Sequence, residues 1–253
     1  MTFNCYLDQF SIVLHRPRLP ENIGAAARAG RNMGIRRLVL VDPEDCDLSR
    51  ICKMSTHCAV DVVENMEIYS DLATALHPFH YVVATTARTK GAQRQQVKTP
   101  REMAAELASI STNNRVALLF GPENRGLSNA DLRLCHALVT IPTAGFSSVN
   151  LAQSVMIICY EVMMAGRQPA GRFVPRLANR RELEAMYEHL KETLIKISFI
   201  NRENPDYWML NIRRFFSRIE LQAREVQIIR GICRQIDWYT QKRLDKLQDR
   251  SRE

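Results

Sequence analysis

Three short segments of this 253-residue chain hold side chains suited to chemistry. In Ile141–Ser154, "IPTAGFSSVNLAQS", an apolar strand ending runs into a turn carrying Gly145, Ser147, Ser148 and Asn150 before Leu151 opens an apolar helix. One hydroxyl or amide is enough to cap a helix, so the surplus points to a ligand. In Leu118–Ser128, "LLFGPENRGLS", Gly121 breaks a strand, Pro122 stiffens the turn and Glu123 sits beside the break. In Pro20–Gly34, "PENIGAAARAGRNMG", Asn22 can cap a helix, and Gly24 and the alanines let another backbone come close. Arg28 stands out there among small residues.

Other chemistries fit these residues less well. Gly121–Ser128 has the G-x-x-x-x-G spacing of a phosphate-binding loop, but Leu127 stands where a lysine must reach the phosphates. No G-x-G-x-x-G follows any apolar run. The six histidines (His15, His57, His77, His80, His136 and His189) are scattered without a G-x-S-x-G elbow, and read as structural. Cys46, Cys52, His57 and Cys58 lack the close cysteine pairs of zinc sites, so no metal is expected.

These segments need a scaffold. Phe10–His15, Arg37–Val41, Tyr81–Thr85, Val116–Phe120 and Ala137–Ile141 are short apolar runs rich in β-branched residues, with helical patterns between them. One helix start is explicit: Thr99 caps, Pro100 takes the first helical position and Glu102 completes a capping box. The alternation predicts an α/β domain with a mostly parallel sheet and a site at the carboxyl ends of its strands. Ala165–Arg180 is rich in arginine, glycine and proline and reads as a linker; beyond it only helical spacing persists, enough for about three helices. The expected division is a catalytic domain over 1–166, a linker over 167–179 and a helical extension over 180–253.

An apolar share of 46% suits an ordinary core, and no apolar run is long enough for a membrane span. The N-terminus lacks a secretory design, and the seven cysteines are irregularly spaced, so a cytoplasmic protein is expected. Net charge is +8, unevenly spread. Residues 1–169 hold 17 Lys and Arg against 15 Asp and Glu, whereas 170–253 hold 18 against 12. Such a basic segment suits a polyanion, most simply nucleic acid; a solvated helical surface would have the same composition.

Taken in order, N-x-G-x-x-x-R (Asn22–Arg28), F-G-P-E-x-x-G-L-S (Phe120–Ser128) and I-P-x-x-G-x-x-S-x-N-L (Ile141–Leu151) resemble the three motifs of the SpoU branch of the SPOUT RNA methyltransferases. The resemblance spans roughly residues 10–166. It implies an α/β sheet whose C-terminal part is threaded as a deep trefoil knot. The first motif begins near the N-terminus and the extension is C-terminal, basic and helical. In this the chain is similar to the TrmJ type, which acts on the 2'-hydroxyl of tRNA residue 32 in the anticodon loop.

By that resemblance S-adenosylmethionine binds bent in a pocket formed by Thr85, Thr86, Ala87, Gly121, Glu123, Ile141, Gly145, Ser148 and Leu151. Arg28, Ser148 and Asn150 are the implied catalytic residues, Asn150 nearest the ribose. Asn22, Arg28 and Arg88 are the implied RNA contacts; in the extension, where no motif is matched, the charge and aromatics themselves make Arg213 and Arg214 beside Trp208 and Phe215 suited to phosphate contacts and stacking. The expected partners are tRNA and a second copy of the chain, whose Arg28 faces this pocket, with neither DNA nor membrane. Two alternatives stay open: 2'-O-methylation of ribosomal RNA or another tRNA position, and an RNA-binding protein on the same fold without activity.

Overall fold

Runs that are apolar at most positions, with no polar alternation, need cover on both faces, which places them inside a parallel sheet rather than on a half-exposed one. In the computed structural model, which describes residues 5–87, 97–145, 148–167, 173–216 and 219–250, four of the expected runs are strands over their whole predicted length. These are β1 (Phe10–His15), β2 (Arg37–Val41), β4 (Tyr81–Thr85) and β6 (Val116–Phe120). The fifth, β7 (Ala137–Val139), stops two residues before the expected Ile141. Thr140 still donates to Lys98 O (3.0 Å), but Pro142 has no N–H to continue a ladder. Two strands had no sequence signal: β3 (Glu67–Tyr69) and β5 (Val97–Lys98). At three and two residues on opposite edges, they are too short to show a period.

The seven strands are all parallel, in the order β3-β2-β1-β6-β4-β7-β5. Between them run α1 (Pro20–Asn32), α2 (Leu48–Ser55), α3 (Val60–Glu64), α4 (Leu72–Leu76), α5 (Pro100–Ile110) and α6 (Asn129–Leu132), and α7 (Leu151–Ala165) follows the last strand. One face of the sheet packs Val13, Val41, Val82 and Leu119 against Leu72, Leu76 and Phe79. α1 packs against α2 and α7, and α7 also against α5. Gly24 permits the first of these contacts, because a Cβ there would lie 2.1 Å from Ile51 O. The capping box of α5 forms as the sequence indicates. Asn22 does not cap α1: Pro20 takes the first position, and the N-cap residue Leu19 offers no side-chain bond.

The chain divides into two compact units at Pro175/Arg176, inside the segment expected as linker. Val174 and Pro175 stay with the first unit, their carbonyls accepting from Asn113 Nδ2 (3.1 Å) and Asn114 Nδ2 (3.1 Å). The second unit holds α8 (Arg180–Lys196), α9 (Pro205–Phe216) and α10 (Ala223–Arg250). It has its own core, including Leu183, Met186, Tyr187, Met209 and Val226. Asp237 on α10 pins that helix to α8 through His189 Nε2 (3.1 Å), Thr193 Oγ1 (3.2 Å) and Lys196 Nζ (2.9 Å). Among the described residues no helix is long and apolar enough to cross a membrane.

Candidate active site

The carboxyl ends of β4, β6 and β7 open into a cavity of about 570 Å³, where an α/β sheet is expected to bind its ligand. The loops are stitched to one another there. Thr86 N donates to Val139 O (2.9 Å), Thr140 Oγ1 to Thr86 O (2.7 Å) and Thr85 Oγ1 to Leu119 O (3.2 Å). After β6 the chain turns back on itself: Gly126 N donates to Pro122 O (2.9 Å), and a Cβ on Gly121 would sit 2.5 Å from Leu127 N. Gly126 takes φ +66°, which glycine adopts without strain.

The wall contains Thr85, Thr86, Ala87, Gly121, Glu123, Ile141, Ser148 and Leu151, eight of the nine residues expected to hold a cofactor. The ninth, Gly145, is exposed at φ +140° and is not part of the wall. Ser147 and Arg88 lie outside the described residues.

A chain of hydrogen bonds joins the three polar segments at the edge of this cavity. Asn150 Oδ1 caps α7 by accepting from Ala152 N (2.9 Å) and Gln153 N (3.3 Å), and its Nδ2 donates to Asn22 Oδ1 (3.1 Å). Asn22 Nδ2 donates to Glu123 Oε1 (2.8 Å), and Glu123 Oε2 accepts from Arg18 N (3.0 Å). Asn22 is buried and spends both ends of its amide on this link. Asn150, expected beside the reacting ribose, likewise commits its side chain to the helix cap and to Asn22.

Arg28, later in α1, is exposed and lies off the cavity wall. Among the described residues nothing pairs with it. The extension differs. Arg213 is held inside its own unit by Glu184 (2.6 Å) and Glu188 (3.6 Å) and lies 4.4 Å over the Tyr187 ring. Arg214 is exposed on α9, and Trp208 and Phe215 are 43% and 59% exposed.

Two residues near the cavity were not singled out from the sequence. Arg125, at the tip of the turn after β6, is the only cationic side chain among the described wall residues. Its signal was a basic residue beside the glycine of a motif otherwise tested for phosphate binding. His15, at the end of β1, is buried. Its Nε2 lies 3.6 Å from Asp131 Oδ1 and its Nδ1 has no partner. Burial pushes its pKa below the ordinary value; Asp131 opposes that shift, and Arg16 and Arg125 add to it.

The model of the SpoU rRNA methylase family matches residues 9–160, which carry the whole sheet, the cavity and the Asn150–Asn22–Glu123 chain. This chain belongs to that family. Residues 181–249 match the C-terminal domain of the tRNA methyltransferase TrmJ, which places the chain on the TrmJ branch of the SpoU methylases. It is 35% identical over 240 residues to the tRNA (cytidine/uridine/adenosine-2'-O-)-methyltransferase TrmJ of Pseudomonas aeruginosa, covering 89% of this chain and 93% of the relative. It is 36% identical over 234 residues to the tRNA (cytidine/uridine-2'-O-)-methyltransferase TrmJ of Pectobacterium atrosepticum, covering 89% and 95%. Among solved structures, TrmJ from Z. mobilis superposes with a TM-score of 0.75 at 30% identity, covering 90% of this chain and 98% of that one.

Proposed function

We propose that this SpoU methylase transfers a methyl group from S-adenosylmethionine to the 2'-hydroxyl of a tRNA pyrimidine, residue 32 of the anticodon loop, and that it works as a homodimer. The observation that carries the reading is the hydrogen-bond chain from Asn150 through Asn22 to Glu123. It draws all three motifs to one cavity edge. The TrmJ relatives are named for 2'-O-methylation of tRNA. Position 32 rests on the likeness of layout, a motif-bearing sheet followed by a basic helical unit.

The cavity fits the cofactor. Its volume of about 570 Å³ lies within the range of small-molecule sites, and its wall mixes apolar side chains with exposed backbone, one carboxylate and one guanidinium. Thr85–Ala87, Gly121 and Ile141 would hold the adenosine, with Leu151 against it. Bound there, S-adenosylmethionine supplies a methyl group already activated by the sulfonium charge.

Alignment of two reactants can contribute roughly 7–11 kcal/mol in favourable cases, and the stitched loops provide a rigid frame for it. Arg28 cannot act as a base, since a guanidinium stays protonated. It grips the adjacent phosphate and stabilises the developing alkoxide, and a phosphate oxygen or water takes the proton. Ser148, exposed on the wall, is within the surface the ribose would reach.

Arg28 lies off the wall of its own cavity, which supports its use in the cavity of a second copy. α7 supports the same conclusion: Ile157, Tyr160 and Met164 form one apolar stripe, each 36–45% exposed, of the kind that a partner covers. The knot is supported by strand order. β7 enters the sheet between β4 and β5, two strands that precede it in the chain, as a rethreaded C-terminal part would require. The basic unit beyond Pro175 serves tRNA.

The test is methylation mapping after incubating the purified chain with tRNA transcripts and labelled S-adenosylmethionine. A single 2'-O-methyl group at pyrimidine 32 is expected. Methylation elsewhere would overturn the position, and transfer to ribosomal RNA alone would overturn the substrate.

A further inference from the structure

We propose that Arg125 binds the carboxylate of the cofactor's methionine moiety, and so selects S-adenosylmethionine over analogues that lack this group. The inference rests on the cofactor reading given above. Among the described wall residues Arg125 is the one cation and Glu123 the one carboxylate. S-adenosylmethionine brings three charges: a sulfonium, an ammonium and a carboxylate. A guanidinium is repelled by the first two, so the carboxylate is the only charged group of the ligand that attracts it. The planar fork of arginine also matches a carboxylate in two parallel bonds, which a lysine cannot reproduce.

Position agrees with charge. Arg125 is exposed at the rim, while Phe120, Val139 and Leu151 on the same wall are buried. That gradient places the adenine on the apolar side and the charged tail at the mouth. The backbone under Arg125 is fixed by the Gly126 N to Pro122 O bond (2.9 Å) and by the close fit of Gly121 against Leu127 N, so the side chain starts from a set point.

The experiment is calorimetric titration of the full-length chain, without RNA, using S-adenosylmethionine and its decarboxylated form, which keeps the sulfonium and the ammonium. The wild type should prefer the carboxylated ligand by about tenfold or more. Arg125→Met, which keeps an unbranched stem, should bind the two ligands alike, at the wild type's affinity for the decarboxylated one. Arg125→Lys should restore part of the preference. Equal weakening toward both ligands would make Arg125 a support for the turn and overturn the proposal. Unchanged preference together with weakened tRNA binding would assign the guanidinium to an RNA phosphate and overturn it too. If the wild type binds neither ligand, the cofactor reading itself falls.

Discussion

Arg16, Arg18, Arg31, Arg37 and Arg50 each lie within 3.3 Å of a carboxylate, whereas among the described residues no carboxylate pairs with Arg28. The role proposed for Arg28, gripping a substrate phosphate, needs such an uncommitted guanidinium. Arg28→Ala should lower turnover by about 100-fold or more, as loss of an oxyanion donor does, and leave cofactor affinity within a few-fold in calorimetry. Arg28→Lys should stay poor, and wild-type turnover in either variant would remove Arg28 from the reaction. His15 is the residue for pH. Its folded pKa is lowered from 6.5 by burial, so as pH falls through 6.5 the unfolded chain takes the proton first. Stability should therefore decline below about pH 6.5 and level off beneath the folded pKa. Melting temperatures from pH 8 to 5 should show a shallower decline for His15→Gln than for the wild type; identical curves would mean that His15 is not the group responsible.

At the scale of elements, α7 begins with a residue that has two duties. Asp caps a helix about as well as Asn, so if capping were all, Asn150→Asp would be silent. It should instead cost about 1–3 kcal/mol, because the donor to Asn22 Oδ1 becomes an acceptor facing an acceptor. Denaturant unfolding of Asn150→Asp beside Asn150→Ala checks this, and an Asp variant as stable as the wild type would reduce Asn150 to a cap. The elements themselves were largely legible. Mostly apolar runs rich in β-branched residues matched four strands to the residue, and Thr99-Pro100-Arg101-Glu102 matched a helix start, because buried strands and capping boxes are local in their causes. β3 and β5 left no trace, since two or three edge residues take their conformation from the neighbour they pair with. The site was legible as a set of residues and not as a set of roles. Sequence spacing brings Asn22, Glu123 and Asn150 under suspicion, but only their meeting across more than a hundred residues shows two amides spent on each other. Arg213 shows the same limit: nothing near it in sequence announces its pairing with Glu184.

For the whole molecule, the boundary at Pro175/Arg176 sets where the chain can be cut. A fragment ending at Pro175 keeps the carbonyls that Asn113 and Asn114 bond, so it should fold and bind cofactor. One ending at Gly166 strips those partners and should melt lower. The longer fragment should bind tRNA more weakly than the full chain and with a shallower dependence on salt, because without the basic unit fewer phosphates are neutralised and fewer counterions released. Equal affinities and equal slopes for the two would make that unit a structural appendage. The placement of β7 bears on how the protein is made as well as on how it works. A ribosome delivers β4 and β5 before the strand that must separate them, so the growing sheet cannot simply add each new strand to its outer edge. Until residues 137–139 arrive, β4 keeps one row of N–H and C=O groups open, a template for any extended segment within reach. The order of synthesis, and not only the affinity of strand for strand, therefore bears on how this sheet closes.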